Sequence, residues 1–237
     1  MQLVTNFNPI KKHLTQIKSW LLKEYSINGF GFYSNWDSIL KAFENKNLIV
    51  LTDTNKAIGF LVYEFSNFIV KIDIANLKSD YINKSYGRNF INQSLEKFKS
   101  DGALVCELFC APESSEPIWK SLGFENFPSH FYSNEIKMFK PLVPTLQLSN
   151  LNQSKEVIAL WDCEPYRTKL INPKWYWNLT FKENSRELLN PIIHPIHYDW
   201  QLSYKIEQET IFLGKIKYYN FNRIEFGNFI IIRELII

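Results

Sequence analysis

The sequence predicts an α/β fold: a mixed, mostly antiparallel central sheet flanked by helices, with a second, smaller α+β domain after it. Three observations predict it. Two amphipathic stretches open the chain, three strands follow as a meander, and then a strand, a long helix and another strand form a crossover unit. At 237 residues, 46% hydrophobic and 16% aromatic, the chain has ample apolar surface for a core, and this composition argues against disorder.

From Pro9 to Tyr25, apolar residues fall at Ile10, Leu14, Ile17, Leu21 and Tyr25, the spacing of an amphipathic helix. Asn35 is a candidate N-cap for a second helix whose inner face is Trp36, Ile39, Leu40 and Phe43. Between them, the aromatic and glycine loop Asn28–Tyr33 reads as a cap on the core. Leu48–Thr52 and Ala57–Phe65 are strands about the turn Asp53–Lys56. After Ser66-Asn67, the alternation of Val70, Ile72 and Ile74 supplies a third. A helix from Gly87 carries Phe90, Ile91, Leu95 and Phe98 on one side and stops at Asp101-Gly102. Ala103–Cys110 is a near-continuous apolar run, suited to a parallel strand covered on both faces. A short helix over Ser114–Leu122, the pair Gly123-Phe124 and a last strand over Phe131–Phe139 complete a domain of residues 1–140.

Residues 141–152, with Pro141, Pro144 and a polar run from Ser149, read as a linker. In residues 153–237, Gln153–Trp161 reads as helical, and Asn172-Pro173 opens a second helical segment at Trp175, Tyr176 and Trp177. Strands are then expected over Trp200–Glu207, Thr210–Tyr219 and Ile224–Ile232. The apolar run Ile230–Ile237 reads as an edge that needs covering, which makes a homodimer an expectation.

The net charge of +3, with lysines spread along the chain, argues against nucleic acid or an anionic membrane as partner. No stretch reaches the ~18 apolar residues of a membrane span, and the start lacks a signal-peptide core. Three cysteines form no disulfide framework, so a reducing, cytoplasmic setting is expected. Cys106 and Cys110 lie roughly 13 Å apart along a strand, too far to share one ion, and are read as core residues. His194 and His197 lack further ligands nearby in sequence and are read as part of a proline-shaped loop, so no metal site is expected.

The chemistry concentrates in Leu77–Phe127. Its opening, Leu-Lys-Ser-Asp-Tyr-Ile-Asn-Lys-Ser-Tyr-Gly-Arg, ends a strand and starts a helix whose exposed amides favour an anion. This stretch resembles the acyl-CoA binding core of the GNAT N-acyltransferase superfamily. There, a loop Arg/Gln-x-x-Gly-x-Gly/Ala holds the pyrophosphate of acyl-CoA, and here it falls on Ile82-Asn83-Lys84-Ser85-Tyr86-Gly87, keeping only the last glycine. A second register, Lys84-x-x-Gly87-x-Asn89, keeps a basic residue and the first glycine but runs the loop into the helix. The element order over the first 140 residues and the Leu122-Gly123-Phe124 signature are similar to the family as well.

The resemblance implies acetyl-CoA or another acyl-CoA as co-substrate, held by Leu77, Ser79, Asn83, Lys84, Ser85, Tyr86, Gly87 and Arg88. It implies transfer of an acyl group to a primary amine, small or peptide, by direct attack. An amide between Leu77 and Ser79 would polarise the thioester. The family's customary tyrosine acid is Trp119 here, and its customary asparagine is Pro112. Tyr132, Tyr86 and Cys110 are the remaining candidate acids, and Glu64 and Asp73 the candidate bases. The hairpin alignment of Ile58–Tyr63 with Leu213–Tyr218 suggests a truncated second copy of the fold in the C-terminal part. The competing expectation is a non-catalytic binder of a ligand or partner that keeps the fold with a degenerate loop.

Overall fold

The structure, a computed structural model, describes residues 2–82, 85–128, 135–149, 155–219, 223–226 and 228–235. They divide into two compact units: the first runs to Asn126 and takes in Glu135–Leu142, while the second holds Val143 onward together with Phe127.

The first unit begins with β1 (Leu3–Asn6), a strand too short for its alternation to show in the sequence. Helix α1 (Lys11–Asn28) ends where Gly29, at φ 73°, returns its amide to the Tyr25 carbonyl at 2.8 Å. Helix α2 (Trp36–Glu44) follows, then the meander β2 (Leu48–Asp53), β3 (Lys56–Ser66) and β4 (Ile69–Leu77). Both hairpins turn on residue pairs at positive φ, Thr54-Asn55 and Asn67-Phe68, the twist that two-residue hairpins need. Helix α3 (Tyr86–Ser100), β5 (Val105–Cys110), α4 (Glu116–Ser121), β6 (Glu125–Asn126) and β7 (Ile136–Pro141) complete the unit.

These strands form one seven-stranded sheet in the order β1-β2-β3-β4-β5-β7-β6. Every pair is antiparallel except β4 with β5, joined by the crossover helix α3. On one face α1 and α2 cover Leu48, Val50, Phe60, Val62 and Ile74. On the other, Phe90, Ile91, Leu95 and Phe98 of α3 pack with Leu61, Val70, Ile72, Cys106 and Leu108. This mixed sheet with flanking helices has the element order that the acyltransferase resemblance implies.

The second unit departs from expectation. Its described residues hold strands and short 3₁₀ turns but no α-helix. The segment expected to be helical from Gln153 contains β8 (Glu156–Leu160), and the Trp175 segment is β9 (Trp175–Asn178). An apolar run of β-branched or aromatic residues suits a sheet, and over such short lengths periodicity does not distinguish the two states. The His194 region is no loop: it ends β10 (Glu187–Pro195), a strand whose Pro191 falls in a break of register, where a missing amide costs no ladder bond. Next come β11 (Gln201–Ile206) and β12 (Glu209–Lys215). The long last strand is a hairpin of β13 (Arg223–Phe226) and β14 (Phe229–Glu234).

Two sheets result, β12-β11-β8-β9 and β10-β14-β13. The truncated second copy is therefore overturned: β12 and β13, aligned in sequence with the paired strands β3 and β4, lie in different sheets. The edge argument for a dimer falls as well, because β14 is the middle strand of its sheet and Ile230, Ile231 and Ile232 are buried.

Candidate functional site

Strands β4 and β5 pair in parallel only from Ile69 opposite Val105 to Ile72 opposite Leu108. Beyond that point β4 runs on to Leu77, held by β3 alone on its other side, and a gap opens between the two strands. At the same place β4 carries an extra residue. Val62 pairs with Ile74 and Tyr63 with Ile72, so Asp73 is a bulge. The bulge changes which side chains face where: Val70 and Ile72 pack on the α3 face, Ile74 on the α1 face, then Ala75 and Leu77 on the α3 face again. The expected alternation through Val70, Ile72 and Ile74 is broken there.

The bulge also fixes the backbone. Lys78 donates its amide to the Ile58 carbonyl of β3 at 2.8 Å. Antiparallel pairing alternates inward and outward amides, so those of Ala75 and Leu77 turn away from β3 toward the gap. Of the expected span Leu77–Ser79, Lys78 is thus committed to the sheet and Leu77 is aimed at the opening.

Across from this strand end stands the start of α3. Ser85 precedes it at φ 53°, the left-handed region that favours glycine, at the very position where the resembling loop has one. A Cβ built on Gly87 would come within 2.8 Å of Leu77 Cδ1, so this glycine lets the helix start close on the strand end. Tyr86 packs against the core and beside the Tyr81 ring, 6.3 Å between centroids. Arg88 reaches α4, donating to Ser121 Oγ at 3.0 Å, and so ties the two helices together. Leu77, Ser79, Ser85, Tyr86, Gly87 and Arg88 all belong to this strand end and helix start. Asn83, Lys84 and the candidate acid Tyr132 lie outside the described residues.

The other candidates scatter. Glu64 is exposed opposite Lys71, toward the hairpin end of β4 and roughly 16 Å along the strand from Leu77. Asp73 stands at the bulge itself, 2.7 Å from the Lys71 ammonium. That hydrogen bond holds the Lys71 pKa above its ordinary value. Cys110 Sγ lies 3.2 Å from Ser115 Oγ beneath the 3₁₀ turn before α4, and burial pushes the Cys106 thiol up. Trp119 is edge-on to Phe124, 5.3 Å between centroids, as a packing residue. His194 lies against the Trp175 and Trp177 rings, and His197 Nδ1 accepts the Asp199 amide in a turn. No cluster of three or more metal-ligating residues occurs among the described residues.

Sequence reasoning missed a cleft on the α1 face. It measures about 720 Å³ and runs between one side of α1, the start of β3 at Lys56 and Ala57, and the segment Lys78–Asp80 that leaves β4. Trp20 lines it while only 8% exposed, and its buried indole nitrogen finds no acceptor among the described residues. The bulge was missed too, although its signal is present: the apolar positions of β4 shift from even numbers to odd between Ile74 and Ala75.

No family model and no curated protein matches the sequence. Among solved structures, the chain is similar to the PaiA N-acetyltransferase of Thermoplasma acidophilum in complex with coenzyme A, at 15% identity and a TM-score of 0.48. That match covers 60% of this chain and 99% of the other. It is similar to Ard1 of Thermoplasma volcanium at 15% identity and a TM-score of 0.47, covering 61% and 100% of the two chains. A third match is N-acetylglutamate synthase of Neisseria gonorrhoeae, complexed with coenzyme A and N-acetyl-glutamate, at 8% identity, a TM-score of 0.49 and coverage of 61% and 36%.

Proposed function

We propose that the first unit transfers an acetyl or related acyl group from acyl-CoA to a primary amine. The observation that carries this reading is the parting of β4 and β5 after Ile72 and Leu108. A strand end with outward amides then faces a helix start, which suits a thioester carbonyl near Leu77 and a pyrophosphate near Ser85–Gly87. The neutral amine nitrogen attacks the carbonyl, the C–S bond breaks, and the departing thiolate takes up the proton that the nitrogen sheds once it has added, directly or through water. Such direct attack asks for no covalent nucleophile from the protein. Asp73 is the nearer of the two candidate bases and Glu64 is too remote to act without movement.

The two faces of the sheet divide the work in this reading. Leu77 points to the α3 side and Lys78 lines the α1 cleft, so cofactor and acceptor reach the same strand end from opposite faces. No helix among the described residues is long and apolar enough to cross a membrane, and the three cysteines are free, which fits a cytoplasmic setting.

One observation favours a second reading, binding without turnover: Trp119 has no proton to give where the resembling enzymes have an acid. Thiol release from acetyl-CoA over a panel of primary amines separates the two. Amine-dependent thiol release supports transfer. Acetyl-CoA binding without thiol release for any amine overturns it in favour of the binder.

A further inference from the structure

The cleft on the α1 face has a chemical bias that narrows the acceptor. Three cations line it, Lys23, Lys56 and Lys78, against two acids, Glu24 and Asp80. Lys78 and Asp80 pair with each other at 3.7 Å, which leaves Lys23 and Lys56 against Glu24. Gln16 uses its side-chain oxygen to take the Ala57 amide at 2.9 Å, which leaves its NH₂ as a donor. Ser19 adds a hydroxyl. A cleft that offers ammonium, amide and hydroxyl donors suits an acceptor-rich anion.

We propose that this cleft holds the carboxylate of the acceptor, so the substrate class is an amine that also carries a carboxylate: a free amino acid or a short peptide. The inference rests on the acyl-transfer reading. Its geometry is that of a strand end seen from both faces. Lys78 and Ser79 in the cleft wall directly follow Leu77, whose amide is turned to the gap, and each residue step is only ~3.3 Å. An acid anchored in the cleft therefore brings its amine toward the thioester, while the cofactor approaches from the α3 face. At about 720 Å³ the cleft has room for a small amino acid or dipeptide.

The test follows thiol release from acetyl-CoA with L-amino acids and with the matching carboxamides, for wild type, Lys23→Met and Lys56→Met. The acids are expected to exceed their carboxamides at least tenfold in kcat/KM. Each lysine variant should raise KM for the acids ten- to a hundredfold and leave KM for the carboxamides and the acetyl-CoA affinity unchanged, as loss of one charged hydrogen bond predicts. Equal turnover of acids and carboxamides, or lysine variants that alter both alike, would overturn the assignment.

Calorimetric titration without acetyl-CoA distinguishes this failure from failure of the acyl-transfer reading. Amino-acid binding that the lysine variants abolish supports the carboxylate site even if no thiol is released. Inorganic phosphate that binds more tightly than every amino acid overturns it as an acceptor site.

Discussion

At the residue scale, Ser85 and Gly87 carry the most information. Ser85 holds φ 53° without a side-chain cap bond to repay it, so Ser85→Gly should raise stability by about 0.5–1 kcal/mol, read as the shift of a urea-unfolding midpoint. No change would mean that the left-handed turn carries no strain. His194 makes a second residue-scale prediction. It is half-buried between two tryptophans with Nε2 shut off from solvent and unpartnered among the described residues, and burial lowers its pKa from 6.5 to about 3. The nearby Lys174 adds to the fall. Because the folded form resists the proton that the unfolded chain accepts, stability should fall as pH drops below about 6.5, by up to ~1.4 kcal/mol per pH unit, until about pH 3. His194→Phe should flatten that part of the profile in denaturant melts at successive pH values.

At the element scale, the bulge in β4 decides the site. Were Asp73 to take a regular place in the ladder instead of bulging, Ala75 and Leu77 would face the α1 side, and the amides that reach the gap would be different ones. Deleting Asp73 removes the bulge yet keeps Ile74 opposite Val62 and Leu77 opposite Gly59, so acetyl-CoA binding should survive the deletion in a chain that stays folded by circular dichroism. In the second unit β8, β10 and β11 are clasped by one group. Arg186 donates to both Glu156 oxygens at 2.7 Å, and the Tyr204 hydroxyl donates to Glu156 Oε2 at 2.6 Å. The Arg186 hydrogen bonds hold the Glu156 carboxyl below its usual pKa, so this contribution is present above about pH 4.5 and is lost as acid protonates the group. Glu156→Gln should cost about 1–3 kcal/mol at neutral pH, because it strands a partly buried guanidinium. A loss below 0.5 kcal/mol in the same melts would show the clasp to be decorative.

Over the whole molecule, legibility follows periodicity. The helices, the meander and the crossover unit were readable because Ile17 and Leu21, or Ile91 and Leu95, repeat at spacings only one structure satisfies. Strand β1 was too short to repeat at all. The second unit misled because Val157–Leu160 is buried on both faces, and a run without alternation reads equally well as helix. Of the candidate site, the loop and helix start were legible through Gly87. The bulge, the outward amides and the α1 cleft were not, since they depend on how β3 pairs with β4 and how α1 lies over that pair.

The central claim, that the gap beside Leu77 and the start of α3 together hold acyl-CoA, is met most directly by calorimetric titration with acetyl-CoA. Wild type should bind saturably, and Gly87→Trp, checked by circular dichroism for an intact fold, should weaken binding at least tenfold. No binding by wild type at millimolar acetyl-CoA, or equal binding by a folded Gly87→Trp variant, would contradict it.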